Sequence, residues 1–453
     1  MRTYAIILAA GIGQRMKTTT PKQLLKLSGK TVLEHTLDVF CRVKEIDGII
    51  AVVPDSKDIE LGKKIHKYDS LKPLTVVSGG QSRNLSTLCG LDAIKDVDAK
   101  VLIHDSVRPL VTENLISLCI ETLDECDAVD TAIPTSDTLI KVQDGFIEDI
   151  PKRSEFWRGQ TPQGFRLDVI KFAYKEWLAD GCPPFTDDCG LVLHYLAETR
   201  VKVVDGDSSN IKITEPIDLH IAEKLFQLRV ATLDGNSASR KLSLPKGQIV
   251  VVAGNSGIGK AISEQLNNVG LGAVALSRQT GGPDVLDYAA LEYEFEQIAR
   301  KGDISAVVNC AARLETGNLE TSSIASIEES LQVNLLGSFL VAKAALPHLR
   351  QSKGHLLLFG SSSYTRGRAG YSTYSASKAG IVNLTQSLAD EWHEYEIKVN
   401  CLNPERTKTP LRHNAFGKES PEGLLRADQV AEVVTSILSS ENTGMIFDVK
   451  LPS

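Results

Sequence analysis

The clearest pattern along the chain is a short apolar run followed by a glycine-rich turn and then a helical repeat of apolar positions. It occurs twice. Tyr4–Leu8 leads into Ala9-Ala10-Gly11-Ile12-Gly13, and Gln248–Ala253 leads into Gly254-Asn255-Ser256-Gly257-Ile258-Gly259. Apolar runs bounded by turn signals read as strands buried on both faces, as in parallel sheets. Two separate strand–loop–helix starts predict two α/β domains in tandem. Further strands are expected at Gly48–Val53, Leu74–Val77, Val101–His104, Ala128–Ile133 and Val201–Val204, then at Ala273–Leu276 and His355–Phe359. Asp137–Ile150 breaks the alternation and reads as a strand, a turn at Asp144-Gly145 and a second strand, an arm suited to a partner subunit. Pro216–Val230 has helical periodicity and closes the first domain. The small polar stretch that follows reads as a linker. The expected division is 1–230, a linker over 231–246, and 247–453.

Composition narrows the function classes. The chain has 453 residues, 42% hydrophobic and 24% charged, which is ordinary globular usage. Its net charge is −7 and neither half is basic, so charge points to no nucleic-acid partner. No apolar stretch is long enough to span a membrane, and the first residues do not read as a signal peptide. The eight cysteines show no C-x-x-C and no zinc-type spacing. Free, buried thiols in a cytoplasmic protein are the expectation.

The first glycine turn continues as Gly11-Ile-Gly13-Gln-Arg15 and, a few residues on, Pro21-Lys22-Gln23. Glycines let backbone N–H groups approach phosphate oxygens, and Arg15 and Lys22 add positive charge. Four more segments follow in order: Gly79-Gly80-Gln81-Ser82-Arg83-Asn84-Leu85-Ser86, His104-Asp105-Ser106-Val107-Arg108-Pro109, Arg153 with Thr161-Pro162-Gln163, and Asn210-Ile-Lys212-Ile-Thr214. With these the first 230 residues resemble the cytidylyltransferases that couple CTP to a polyol phosphate, the methylerythritol-phosphate and ribitol-phosphate enzymes being nearest. The resemblance implies a nucleotide-diphospho-sugar-transferase-like α/β domain with a β-arm. It implies that Ala9, Ala10, Gly11, Gly13, Gly79, Gly80, Gln81, Arg83 and Ser86 bind the nucleotide, and that Arg153 and Thr161 line the acceptor pocket. In such a reaction a phosphate oxygen attacks the α-phosphorus and pyrophosphate leaves, so positive charge is the chief need. Arg15, Lys22 and Lys212 are the expected catalytic cations. Asp105 is the expected Mg²⁺ ligand, with Asp207 as the second candidate.

The second domain carries Tyr374-Ser-Ala-Ser-Lys378, whose ends share one face of a helix. A lysine there can lower the phenol pKa, so that the tyrosine protonates a carbonyl oxygen as hydride arrives. Ser361, thirteen residues upstream, can bind the same oxygen. With Asn309-Cys-Ala-Ala, Asn334 and the Asn403-Pro404…Thr409-Pro410 segment, residues 247–453 resemble the short-chain dehydrogenase/reductases, a Rossmann fold. The resemblance implies catalytic Ser361, Tyr374, Lys378 and Asn334. It also implies cofactor contacts from Gly254, Ser256, Gly257, Ile258, Gly259, Asn309, Ala311 and Thr409, with Asp287 at the adenine. The glycine loop departs from the family by having two residues, not three, between its first two glycines. Ser277-Arg278 follows the second strand where an acidic residue would select NAD, and Arg278 suits a 2′-phosphate, hence NADPH. Arg366, Arg368 and Arg406 are unassigned charges near the active-site segments, open either to a substrate phosphate or to a solvated face.

A reductase fused to a cytidylyltransferase suggests consecutive reactions on CTP, a ketose phosphate and its polyol phosphate. The whole chain resembles the bifunctional ribulose-5-phosphate reductase/CDP-ribitol pyrophosphorylases of capsule biosynthesis, whose families usually form homo-oligomers. Methylerythritol phosphate as acceptor, another pentulose phosphate as ketone, and a non-catalytic NADP-binding second domain remain as alternatives.

Overall fold

The computed structural model describes residues 1–11, 16, 20–27, 30–55, 59–227 and 246–451. Gly13, Arg15 and all but the last residue of the expected linker lie outside them. Two compact units emerge, Met1–Glu223 and Lys224–Ser453.

The first unit contains strands β1 (Arg2–Leu8), β2 (Lys26–Leu27), β3 (Lys30–Thr31), β4 (Gly48–Val53), β5 (Leu74–Ser78), β6 (Ala99–Asp105), β7 (Ala128–Pro134), β8 (Lys141–Gln143), β9 (Phe146–Asp149), β10 (Trp157–Arg166) and β11 (Val201–Asp205). Its helices are α1 (Val32–Arg42), α2 (Ile59–His66), α3 (Arg83–Ala93), α4 (Glu113–Thr122), α5 (Leu167–Ala179) and α6 (Asp188–Tyr195), and α7 (Pro216–Gln227) crosses the boundary. Seven strands form one sheet in the order β11-β7-β10-β6-β1-β4-β5. All neighbours are parallel except β10, which runs antiparallel to both β6 and β7. Along β1, Ala5 and Ile7 pack into one core cluster and Ile6 and Leu8 into another, so both faces are covered. Each such side chain contributes about 1.5–3 kcal/mol on burial. α1 starts in a capping box, in which the Thr31 hydroxyl accepts the Glu34 N–H and the Glu34 carboxylate accepts the Thr31 N–H.

β8 and β9 form the expected arm. Its tip is Asp144-Gly145, both at positive φ, and it carries exposed Val142, Phe146 and Ile147. β10 is the strand that the hydrophobic pattern does not announce. Its sequence, WRGQTPQGFR, lacks β-branched alternation, yet its middle is buried between β6 and β7 with a bulge at Gly159/Gln163.

The second unit has β12 (Gln248–Val252), β13 (Ala273–Leu276), β14 (Ile304–Asn309), β15 (His355–Phe359), β16 (Lys398–Pro404) and β17 (Ile446–Val449). Its helices are α8 (Gly257–Asn268), α9 (Tyr288–Ala299), α10 (Ile324–Leu331), α11 (Gly337–Ser352), α12 (Ser372–Glu391), α13 (Pro410–Phe416) and α14 (Ala427–Leu438). The six strands are all parallel, in the order β13-β12-β14-β15-β16-β17. The order reverses at β12, which makes the carboxyl ends of β12 and β14 a topological switch point.

Among the described residues no helix is long and apolar enough to cross a membrane. All eight cysteines are free; Cys41, Cys119, Cys189 and Cys401 are buried, whereas Cys182 is exposed.

Candidate active sites

In the first unit, register brings the two key segments together. Leu8 at the end of β1 stands opposite Asp105 at the end of β6, and the Ser106 N–H donates to the Leu8 carbonyl. A cavity of about 400 Å³ opens there. Ala9, Ala10, Gly11, Lys22, Gly79, Gly80, Gln81, Arg83, Ser86, Asp105 and Lys212 all line it, as the sequence led one to expect. Gly11 faces open space, whereas a Cβ on Gly79 would lie 2.4 Å from that of Ala10 and one on Gly80 2.4 Å from that of Leu85. The last two glycines are therefore required by packing.

Cations surround Asp105. Lys212 Nζ lies 2.7 Å from one carboxylate oxygen and Arg83 Nε 3.3 Å from the other. Burial alone would raise the Asp105 pKa, but Arg83 and Lys212 more than offset it and hold the carboxyl ionised, well below the usual carboxylate range. Arg83 is itself held from behind, its Nη1 2.6 Å from the fully buried Asp188, which also accepts the Tyr174 hydroxyl. Lys22 Nζ donates to the Ile213 carbonyl (3.3 Å), and the Ile213 N–H donates to that of Val107. The segment bearing Lys212 is thus fixed against the one bearing Asp105.

Thr161, Arg153 and Asp207 do something other than expected, and His104, expected to pack at a strand end and not to catalyse, explains the first of them. His104 is buried, and burial lowers its pKa to about 3, so it is neutral. Its Nε2 faces the Arg108 carbonyl, so that nitrogen carries the proton and Nδ1 accepts from the Thr161 hydroxyl (2.9 Å). The Thr161 oxygen in turn accepts the Asp105 N–H. Thr161 therefore lies behind Asp105 as a support and is not among the described residues lining the cavity. Arg153 is exposed in a short turn, where it donates to the Ser136 carbonyl, and does not line the cavity either. Asp207 is exposed and accepts the Ser209 N–H of its own turn. It follows β11, which β7 and β10 separate from β6, and no cluster of three or more metal-ligating side chains occurs among the described residues. Asp105 is thus a single carboxylate with cationic neighbours. That donor set fits a Mg²⁺ carried mainly by nucleotide phosphates rather than by a protein cage.

In the second unit, a cavity of about 310 Å³ at the ends of β15 and β16 is lined by Ser361, Tyr374, Thr409 and Ile258. Tyr374 is hydrogen-bonded to Ser361, whose oxygen also accepts from Ser363. Lys378 follows one turn later on α12, with Nζ 5.7 Å from the Tyr374 ring centre and donating to the Phe359 carbonyl at 2.7 Å. The expected depression of the phenol pKa is not what this arrangement gives. Burial raises Tyr374, with the Ser361 bond offsetting part of the rise, and burial lowers Lys378 to about 8. The lysine charge is directed at a carbonyl and weakened by its own desolvation.

Asn334 sits in a π-turn (Gln332–Leu336) between α10 and α11. Its amide accepts the Arg313 N–H and donates to the Arg313 carbonyl and to Ser377, so it ties three segments together. Asn309, at the end of β14, accepts the Ala311 N–H and donates to Ser338.

The glycine loop resolves its apparent shortness. The residue that turns left-handed directly after β12 is Ala253, at φ 59°. Three residues then separate it from Gly257, which also has positive φ. The turn has the family's length, with alanine at its first position and strain of about 1–2 kcal/mol there. A Cβ on Gly259 would lie 2.3 Å from the Ala253 carbonyl oxygen, and one on Gly254 2.7 Å from that of Val251. The Ser256 side chain leaves the first-turn N–H groups of α8 uncapped. This cradle suits a dinucleotide pyrophosphate at a helix N-terminus. Arg278 is 70% exposed and 2.9 Å from Asp284. Asp287, expected at the adenine, accepts the Ala290 N–H as the N-cap of α9.

Comparison with known proteins supports both halves. Residues 3–228 match the 2-C-methyl-D-erythritol 4-phosphate cytidylyltransferase family, and residues 280–420 match the short chain dehydrogenases. The whole chain is similar to the bifunctional ribulose 5-phosphate reductase/CDP-ribitol pyrophosphorylase Bcs1 of Haemophilus influenzae, 43% identical over 458 residues, 99% of this chain and 96% of that one. The first half alone is 41% identical over 237 residues to a 2-C-methyl-D-erythritol 4-phosphate cytidylyltransferase of Thermobifida fusca (51% of this chain, 95% of the relative). It is 36% identical over 232 residues to a ribitol-5-phosphate cytidylyltransferase of Lactiplantibacillus plantarum (50% and 99%).

Proposed function

This chain belongs to the family of bifunctional ribulose 5-phosphate reductase/CDP-ribitol pyrophosphorylases, and from that premise we propose that it makes CDP-ribitol in two steps. D-ribulose 5-phosphate, NADPH and a proton give D-ribitol 5-phosphate and NADP⁺. D-ribitol 5-phosphate and CTP then give CDP-ribitol and pyrophosphate. The observation that carries the reading is a similarity spanning both domains at once, with a reductase site in one and an anion-binding cleft in the other.

In the reductase, Ser361 and Tyr374 bind the ketone oxygen and the Tyr374 hydroxyl gives it a proton. The tyrosinate this leaves lies near the Lys378 ammonium, and a proton from solvent restores the phenol. The nicotinamide supplies the hydride. Its pyrophosphate is assigned to the Gly257–Gly259 turn, and Arg278 is assigned to a 2′-phosphate, with Asp284 as the partner to be displaced. In the transferase, Lys22, Lys212 and Arg83 stabilise the charge that develops on the α-phosphate and on leaving pyrophosphate. Arg15 belongs with them by its place in the motif. Among the described residues lining the cleft, Asp105 would hold Mg²⁺, which would supply charge neutralisation to the nucleotide phosphates.

CTP and NADPH are cytoplasmic metabolites, which puts the enzyme in the cytoplasm on this reading, with the product feeding a capsule-type ribitol-phosphate polymer. The exposed apolar arm supports a homodimer. Leu331, Leu336 and Phe339, exposed on α10, the π-turn and α11, offer a second apolar face.

The test is to incubate the full chain with ribulose 5-phosphate, NADPH, CTP and Mg²⁺ and weigh the nucleotide product. CDP-ribitol is expected. The 41% identity to a methylerythritol-phosphate enzyme favours one second reading, that of methylerythritol phosphate as acceptor. Faster pyrophosphate release with that acceptor than with ribitol 5-phosphate overturns the first.

A further inference from the structure

The reductase cleft does not end at Tyr374. Its outer wall carries Arg368, Arg406 and Arg412. A second cavity, about 370 Å³, lies against the same wall, and Ser362, Arg368, Glu405 and Arg406 line both. The space in front of Ser361 and Tyr374 therefore continues past a pair of guanidinium groups.

These arginines differ in what occupies them. Arg412 is held by both oxygens of Glu419, at 2.7 and 2.8 Å. Arg368 and Arg406 form no ion pair among the described residues. The carboxylates sharing their space are engaged elsewhere. Glu405 accepts the Leu451 N–H at 3.1 Å, and Asp448 accepts the Asn403 amide at 3.1 Å. Lys450 adds a further cation to the second cavity. The backbone under Arg406 is fixed, because its carbonyl accepts the Leu425 N–H (2.8 Å) and Thr407 bridges to Leu425. Near Arg368, the Gly370 carbonyl accepts the Gly317 N–H at 2.7 Å. Arg366, two residues away, lines neither cavity.

We infer that Arg368 and Arg406 bind the terminal phosphate of the reductase's substrate, so that the site selects a short acyclic ketose phosphate over the same ketose without phosphate. The inference rests on the reading of this site as a ketose-phosphate reductase. A phosphate monoester is close to a dianion at neutral pH and offers three acceptor oxygens. Guanidinium forks match it with paired, charge-assisted hydrogen bonds. The cofactor's pyrophosphate is assigned to the Gly257–Gly259 turn and its 2′-phosphate to Arg278, so the pair is left for the substrate.

The experiment measures kcat/KM for NADPH oxidation with ribulose 5-phosphate and with ribulose, using the full chain. The wild type should prefer the phosphate ester strongly. Arg406→Gln and Arg368→Gln should each reduce that preference about 10–100-fold, mainly through KM, and the double variant should nearly erase it. Arg366→Gln should keep the wild-type ratio. Inorganic phosphate should compete with ribulose 5-phosphate in the wild type, with a higher inhibition constant in each of the two variants. NADPH fluorescence titration identifies any variant whose cofactor site has collapsed, and Arg406→Lys then serves in its place. A preference unchanged in the double variant, with phosphate inhibition also unchanged, overturns the inference. A wild type that reduces neither ketose overturns the functional reading instead.

Discussion

Lys378 occupies a place where an ammonium is costly. The residue is 2% exposed, its ammonium donates to the Phe359 carbonyl, and burial lowers its pKa from 10.5 to about 8. Below pH 8 the lysine is protonated in both the folded and the unfolded chain, and the folded state carries the whole desolvation cost. Between pH 8 and 10.5 the folded chain has released the proton while the unfolded chain still holds it. The unfolded state then binds more protons, so stability rises with pH. Above 10.5 both forms are neutral and the cost is gone. At about 1.36 kcal/mol for each pKa unit, the full change is about 3 kcal/mol. Lys378→Met keeps the length of the side chain and removes the titration. At pH 7 the variant should be the more stable by about 2 kcal/mol, after roughly 1 kcal/mol is subtracted for the lost hydrogen bond. The difference should move by about 3 kcal/mol towards the wild type as pH rises to 10.5. Trp392 is buried in the second unit, while Trp157 and Trp177 lie in the first. Urea unfolding followed by Trp392 fluorescence in a Trp157→Phe/Trp177→Phe background therefore reports on the right domain. Other titrating groups cancel in the difference. A difference that stays flat with pH, or moves the opposite way, refutes the reasoning.

Other expectations are as direct. Asp188→Asn leaves Arg83 half-buried with only Asp105 as counter-ion; it should cost about 3 kcal/mol of first-domain stability by denaturant titration and slow CDP-polyol formation. Tyr374→Phe should abolish NADPH oxidation while pyrophosphate release from CTP and ribitol 5-phosphate persists, as measured by parallel assays; unchanged NADPH oxidation would remove Tyr374 from the mechanism. Phe146→Asp with Ile147→Asp places charge on the arm, where Phe146 is 78% exposed, and should shift the protein to a monomer by light scattering if the arm is the dimer contact. Ala253→Val puts a β-branched residue at φ 59° and should lower second-domain stability by about 2 kcal/mol, whereas an unchanged unfolding midpoint would show that this turn tolerates branching.

The parallel strands were legible because burial on both faces writes itself as continuous apolar runs; Gly48–Val53, Ala273–Leu276 and His355–Phe359 stand in the structure with those bounds. β10 was illegible for the converse reason. Its polar middle is buried to support Asp105 through Thr161 and to meet Asp130 through Gln163, so function there overrides the pattern. The motif residues found their cavity because short loops after neighbouring strands must converge. Arg153, in the short turn ahead of β10, and Asp207, after β11, lie on segments that do not line it. Ala253 was hidden because spacing was counted between glycines, while the backbone counts from the residue at positive φ. Arg368 and Arg406 could be named as charges, but only the folded chain shows that they share a wall.

β10 also divides the first domain into two inheritable parts. On one side, β6, β1, β4 and β5 carry Asp105, the glycine turn and the Gly79–Arg83 segment; on the other, β7 and β11 hang from the sheet through this one antiparallel strand. Changes confined to the β7–β11 side leave the hydrogen-bond ladder under the nucleotide half untouched. Relatives named for different acceptor alcohols match this half of the chain at similar identity, and a sheet hinged on a single strand is a form in which one half can drift while the other is kept.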